Sequence, residues 1–145
     1  MFAADGGAEN VAMADGAPSP RILVVDDVDG SRDMISELLQ LHGLDVVGQA
    51  ENGEQAIEMA LELKPDVVLM DVRMKGIDGL EATRRLKQLQ PDVRVITLSV
   101  FDDDEVVAQG RAAGADGHLT KSAPGAELSE RVLQVCGLSA DFGED

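Results

Sequence analysis

The chain has 145 residues, enough for one ordinary domain, and 44% of them are hydrophobic. It has no Trp or Tyr and only three Phe, so its core must be aliphatic, and its formal net charge of −16 argues against a phosphate-backbone binder or an electrostatic membrane anchor. The lone Cys136 allows no internal disulfide framework and fits a reducing cytosol; no apolar stretch approaches the roughly 20 residues of a membrane span, and no signal peptide is visible.

Residues 1–20 are rich in Ala, Gly and acids and end in Ala17-Pro18-Ser19-Pro20. With little to bury, they read as a disordered arm. From Arg21 onward apolar runs alternate with helical periods. Strands are expected at 21–26, 45–49, 66–70, 93–98 and 116–119, and helices at 30–42, 53–63, 79–89, 103–113 and 124–135. In the first helix Met34, Ile35, Leu38, Leu39 and His42 form a stripe, with Gly43 as the stop. In the second, Ala56, Met59, Ala60 and Leu63 do the same, ahead of Pro65. Asp78 caps the third helix, which ends at Pro91. The fourth begins in the acid run Asp102-Asp103-Asp104-Glu105, which suits the positive end of a helix dipole, and stops at Gly114. The strands are nearly all apolar, as a parallel sheet covered on both faces requires. Right-handed crossovers then place every strand-to-helix loop on one edge.

That edge collects chemistry. The first strand ends in Asp26-Asp27, the third in Asp71, the fourth in Ser99 and the fifth leads to Lys121. Carboxylates about 4 Å apart repel by roughly 4 kcal/mol per pair at an effective dielectric near 20, so they need a cation or must hold protons. All-oxygen ligands select a hard ion such as Mg²⁺. Asp71 stands alone at the sheet centre and is the candidate nucleophile toward phosphorus. Lys121 and Ser99 could meet phosphoryl oxygens, and transfer asks mainly for such positioning.

The constellation resembles the receiver domain of two-component response regulators across residues 21–135. Glu51-Asn52-Gly53-Glu54-Gln55-Ala56, Gly79-Leu80-Glu81-Ala82-Thr83 and Gly114-Ala115-Asp116-Gly117 are most similar to receivers of LuxR-type regulators. The resemblance implies a flavodoxin-like (βα)5 α/β sandwich with a five-stranded parallel sheet in order 2-1-3-4-5. After the arm at 1–20, it implies a receiver domain at 21–136, with a tail left at 137–145. Asp71 would be the phosphoacceptor, with Ser99 and Lys121 on the phosphoryl group. Asp26, Asp27, Asp71 and the Arg73 backbone carbonyl would hold Mg²⁺. Ser99 and His118 would be switch residues. The donor would be a histidine kinase or histidine phosphotransfer protein, in the cytoplasm. The response would emerge on the fourth helix, fifth strand and fifth helix, for a partner, a fused output domain or a homodimer. Such a protein catalyses its own phosphorylation and dephosphorylation but turns over no conventional substrate.

Several positions depart from the family pattern. Lys75 stands where proline is usual, loosening the turn after Asp71. His118 replaces the usual Tyr or Phe and is titratable near neutral pH. Gly110 and Arg111 fall where Ala and an apolar residue are usual, marking the fourth helix as a candidate mobile element. The nine residues after Cys136 are too few for a DNA-binding domain. The chain is therefore a stand-alone receiver or an excised part of a LuxR-type transcription factor; its polar ending leans toward the first. The alternatives are a phosphorylation-independent receiver-like interaction module and, more remotely, an aspartyl-phosphate hydrolase. The hydrolase expects an acid at position 73 and a cap insertion. A flavodoxin-type carrier would need a glycine- and hydroxyl-rich phosphate loop where Asp26-Asp27-Val28-Asp29 stands.

Overall fold

The computed structural model describes residues 19–101 and 103–137. The arm expected at 1–20, apart from Ser19 and Pro20, and the tail beyond Gly137 lie outside them, as does Asp102. The elements run β1 (Arg21–Val25), α1 (Asp29–Leu41), β2 (Asp45–Ala50), α2 (Gly53–Leu63), β3 (Val67–Asp71), α3 (Gly79–Leu89), β4 (Arg94–Ser99), α4 (Asp104–Ala113), β5 (Gly117–Thr120) and α5 (Gly125–Val135). The five strands form one parallel sheet in order β2-β1-β3-β4-β5, the expected flavodoxin-like architecture.

Side-chain alternation along the strands splits the core between two faces. Ile22, Val24, Val67, Leu69, Ile96 and Leu98 point to one, where Ile35 and Leu39 of α1 and Leu128 and Val132 of α5 cover them. Leu23, Val25, Val68, Met70 and Val95 point to the other, beneath Ala56 and Ala60 of α2 and Ala82 and Leu86 of α3. All of these side chains are essentially inaccessible to water. Each of the larger ones contributes roughly 1.5–3 kcal/mol of burial, without any aromatic ring. The stripe expected on α1 is narrower than the sequence suggested. Ile35, Ser36 and Leu39 are buried, whereas Met34 is 50% exposed and His42 is the exposed C-cap.

The local stops and starts explain why the helices end where they do. Asn52, Asp78 and Asp103 each accept a hydrogen bond from a backbone N–H in the first turn of α2, α3 and α4. Gly43 and Gly114 take positive φ after α1 and α4, at 83° and 109°. α4 is continuous through Gly110, and the structure shows why glycine sits there. An added Cβ would lie 3.1 Å from Thr97 Oγ1, so glycine lets the helix rest directly on β4.

The strand order fixes where a site can form. The chain leaves β1 toward β2, then crosses back over β1 to lay down β3. Crossovers on either side of the β1–β3 boundary therefore run in opposite directions, opening a crevice at the carboxyl ends of those strands. Asp26 and Asp71 stand in that crevice.

Candidate functional site

β1 and β3 deliver the acids. Asp26 follows β1 and is fully buried, Asp71 closes β3 at 3% exposure, and Asp27 is half-buried beside them. One carboxylate oxygen from each lies within 4.8 Å of the others. Lys121, just after β5, reaches across β4 with Nζ 2.9 Å from Asp26 Oδ2 and 3.2 Å from Asp71 Oδ2. Its own backbone N–H donates to Ser99 O, which ties the lysine loop to the end of β4.

The two buried acids differ in their hydrogen bonding. Burial opposes the charged form of Asp26, yet its carboxyl is held below the usual range. Ser31 Oγ donates at 2.6 Å, Val28 N–H at 2.9 Å, and Lys121 adds its charge. Asp71 has weaker support. Its Oδ1 takes only a long bond from Arg73 N–H, 3.3 Å. Burial pushes its pKa up to about 6; Lys121 pulls it down and the Asp26 charge pushes it up again. Lys121 is held above its ordinary value: burial works against it, but the bonds to Asp26 and Asp71 prevail.

Three acids thus share one ammonium, an arrangement short of positive charge. The oxygen-only donor set and the partly free Asp71 suit a hard divalent cation, the type of ion that Mg²⁺ represents. The loop after β3 bends back toward this cluster. Lys75 N–H donates to Asp27 Oδ2 at 3.3 Å, a bond that proline in its place could not make. Gly76 follows at a φ of 81°.

Ser99 closes β4, buried, with Oγ donating to Phe101 O at 2.5 Å. His118, on β5 opposite Thr97, turns its ring inward and meets Ser99 Oγ through Nε2 at 3.1 Å. The expected residues therefore fall in two adjoining groups. Asp26, Asp27, Asp71 and Lys121 form one; Ser99 and His118 form the other. Arg73 lies in the loop between β3 and α3, with its backbone N–H on Asp71.

Three further residues shape the site and escaped the reading of the sequence. Ser31, on the first turns of α1, holds Asp26. Thr97 bonds His118 Nδ1 at 2.7 Å. Gly79 opens α3 so close to β3 that an added Cβ would lie 2.0 Å from Asp71 O. A glycine opening a helix after a capping Asp was visible in the sequence; its contact with Asp71, distant along the chain, was not. Cys136 is remote from this edge, and burial pushes its thiol up to about 11, so it is unreactive near neutral pH.

Comparison with known proteins agrees with this geometry. Residues 22–133 match the family model described as response regulator receiver domain. The chain is 48% identical over 116 residues to the response regulator GacA of Pseudomonas aeruginosa, covering 79% of this chain and 54% of that protein. It is 39% identical over 116 residues to the transcriptional regulatory protein LnrK of Bacillus subtilis, covering 79% and 53%. The chain thus spans about half the length of the relatives it matches. Among solved structures, the receiver domain of the putative regulator NarL from Mycobacterium tuberculosis superposes with a TM-score of 0.79 at 31% identity, over 83% of this chain and 98% of that one. The BeF3-activated DrrB receiver domain gives 0.73 at 32% identity, over 83% and 99%. Among the described residues no helix is long and apolar enough to cross a membrane. With its strand order, its acid crevice and a family match spanning most of its length, the chain belongs to the receiver domains of two-component response regulators.

Proposed function

We propose that Asp71 accepts a phosphoryl group from a histidine kinase or histidine phosphotransfer protein. The observation that carries this reading is the placement of Asp71. It is buried at the topological crevice, within 4.8 Å of Asp26 and Asp27 oxygens and bonded to Lys121. An ionised Asp71 oxygen attacks phosphorus, forming a P–O bond as the P–N bond to the donor imidazole breaks. The imidazole leaves with the electron pair and takes up a proton. Asp71 needs no general base once ionised. Asp26, Asp27, Asp71 and the Arg73 carbonyl are the residues that would hold Mg²⁺, which when bound offsets charge on the carboxylates and the phosphoryl oxygens.

The chain's own residues do the positioning. Lys121 already bridges Asp26 and Asp71 and is placed to follow charge as it moves onto the phosphoryl oxygens. Ser99 offers a hydroxyl from the end of β4. The added charge of about −1.5 to −2, by analogy with other phosphorylated side chains, then biases the α4–β5–α5 face toward a second arrangement, with Ser99 and His118 as the switch. That face would serve a protein partner, a fused output domain or a second copy. The role is signalling in the cytoplasm rather than metabolic turnover.

The test is intact-protein mass after incubation with acetyl phosphate, with and without Mg²⁺. The expected result is a Mg²⁺-dependent gain of one phosphoryl group that Asp71→Asn abolishes. Lys121→Ala should keep cation binding but lose most of the response. Acyl phosphate retained in Asp71→Asn would refute the assignment of the acceptor.

A further inference from the structure

The three acids are not held equally. The Asp26 carboxylate meets the Ser31 hydroxyl, the Val28 N–H and Lys121 Nζ. Asp71 is buried at the end of β3, between Lys121 and the Arg73 N–H. Among the described residues the Asp27 carboxylate has one hydrogen-bond donor, the Lys75 N–H, at 3.3 Å. The neighbouring negative charges push it away from the cluster. Its direction therefore depends mainly on its own backbone.

Arg32, on the first turns of α1, holds that backbone. Its Nη1 donates to Asp26 O at 2.7 Å. Asp26 O and the Asp27 N–H belong to one planar peptide unit, so fixing the carbonyl fixes the plane from which the Asp27 side chain departs. On the other side, the Asp26 N–H donates to Ala50 O at 3.1 Å and ties the preceding peptide to the end of β2. The rest of the guanidinium is engaged as well. Nη2 donates to Asp29 Oδ1 at 2.6 Å, and Nε donates to Gln49 Oε1 at 3.2 Å. The side chain is only 14% exposed. One rigid fork thus joins the start of α1, the end of β2 and the acid loop. A lysine ammonium, with a single nitrogen, could not span all three contacts.

We infer that Arg32 is a positioning residue for the divalent cation: through its bond to Asp26 O it holds the Asp26–Asp27 peptide so that the Asp27 carboxylate stays turned toward the ion. The inference rests on the reading of Asp26, Asp27 and Asp71 as the cation site. Charge and position make opposite demands on Arg32. A guanidinium beside the acid loop repels an incoming cation, so by charge alone its removal would tighten Mg²⁺ binding. Asp29, in contact at 2.6 Å, offsets part of that charge. The hydrogen bond to Asp26 O then decides the sign. Without it the carbonyl turns to water, the peptide gains freedom, and cation binding must restore the order that Arg32 supplied. Loss of one such bond weakens Mg²⁺ binding by about 2- to 12-fold.

The experiment is Mg²⁺ titration calorimetry of the whole chain and of Arg32→Met and Arg32→Lys, with backbone amide NMR of each before Mg²⁺ is added. Arg32→Met keeps an apolar stem but neither charge nor donor, and should bind Mg²⁺ about 2- to 12-fold more weakly than the parent. Arg32→Lys keeps the charge and one donor nitrogen, and should fall between the two. The Asp27 amide should move in both variants, while the amides of Val68 and Leu69, deep in β3, stay in place and show that the sheet is intact. Tighter or equal Mg²⁺ binding by Arg32→Met would show that charge outweighs position and would overturn the inference. An unmoved Asp27 amide would overturn it too. If Arg32→Met fails to fold, Arg32→Lys carries the test, and parent-like affinity there would refute the role. Parent binding that Asp27→Asn weakens and Arg32→Met does not would remove the inference and leave the cation site standing. No Mg²⁺ binding by the parent would overturn both.

Discussion

The two halves of the site are built on different physics. The β1–β3 half is a cluster of charge. Asp26, Asp27 and Asp71 crowd together because the backbone brings them there, and Lys121 offsets only part of their repulsion. The β4–β5 half is a hydrogen-bonded group in which the His118 ring meets the Thr97 and Ser99 hydroxyls at ordinary distances. The first half stores unfavourable energy that a cation can relieve. The second stores orientation, since each hydroxyl proton has one destination at a time. A receiver needs both: a reason to bind charge, and a device that registers the binding elsewhere.

The glycines give the sharpest way to separate the halves. Gly79→Ala would drive a Cβ into Asp71 O, where rigid backbone cannot yield. We expect a loss of about 3 kcal/mol or more in denaturant unfolding. Gly110→Ala meets a side-chain hydroxyl at 3.1 Å and gains up to about 1 kcal/mol of helix propensity. Its net stability change should be under about 1 kcal/mol, with the effect showing instead in the His118 ring signals. Equal and large losses for the two variants would erase the contrast.

Charge relief comes next in size. Asp71 has a pKa raised from 3.8 to about 6, so the folded state holds its proton where the unfolded chain has lost it. This makes Asp71 a liability that grows as pH rises from about 4 to about 6 and is full above that range. In Mg²⁺-free buffer at pH 7, Asp71→Asn should be more stable than the parent by on the order of 1–3 kcal/mol. The gap should close as pH falls toward 4, and Mg²⁺ should narrow it. A variant less stable than the parent at pH 7 would show that Lys121 more than offsets the repulsion.

The smallest effect belongs to the loop that joins the halves. Lys75 does not have a positive φ, so proline is not barred there by the sign of that angle. Lys75→Pro gives up the 3.3 Å bond to Asp27 but stiffens the unfolded chain. Stability should change by less than about 1 kcal/mol, while Mg²⁺ affinity, read by titration calorimetry, should move because Asp27 loses a restraint. Unchanged affinity would show that Asp27 takes no direction from this loop.

Much of this was written in local pattern. Runs such as Ile22–Val25 and Val67–Met70 read as doubly buried strands because nothing polar interrupts them. Asp78 read as a helix cap from its place before Gly79, and the structure shows its bond to Glu81 N–H. Asp26, Asp27, Asp71, Ser99 and Lys121 could be placed on one edge because every strand end of a parallel sheet faces the same way. The strand order itself came from likeness to a family, and the hydrogen-bonded ladder confirms it. The stripe on α1 was drawn too wide, since periodicity does not reveal where a neighbouring helix stops covering Met34.

What only the folded chain decided are relations between residues far apart in sequence. That Lys121 bridges Asp26 and Asp71, that Ser31 steadies one acid and leaves the other exposed to its repulsion, that Gly79 sits where a Cβ has no room and that Gly110 sits close against Thr97 all depend on distances across crossovers. His118 is the clearest case. Its sequence position allowed a ring facing either way, and only the packing of α4 on Thr97 and the spacing of β4 and β5 turned it inward onto two hydroxyls. Side-chain type and periodicity are local quantities and can be read along the chain. Hydrogen-bond partners and shifted carboxyl groups are set by which surfaces meet, and that is known only once the sheet has closed its order.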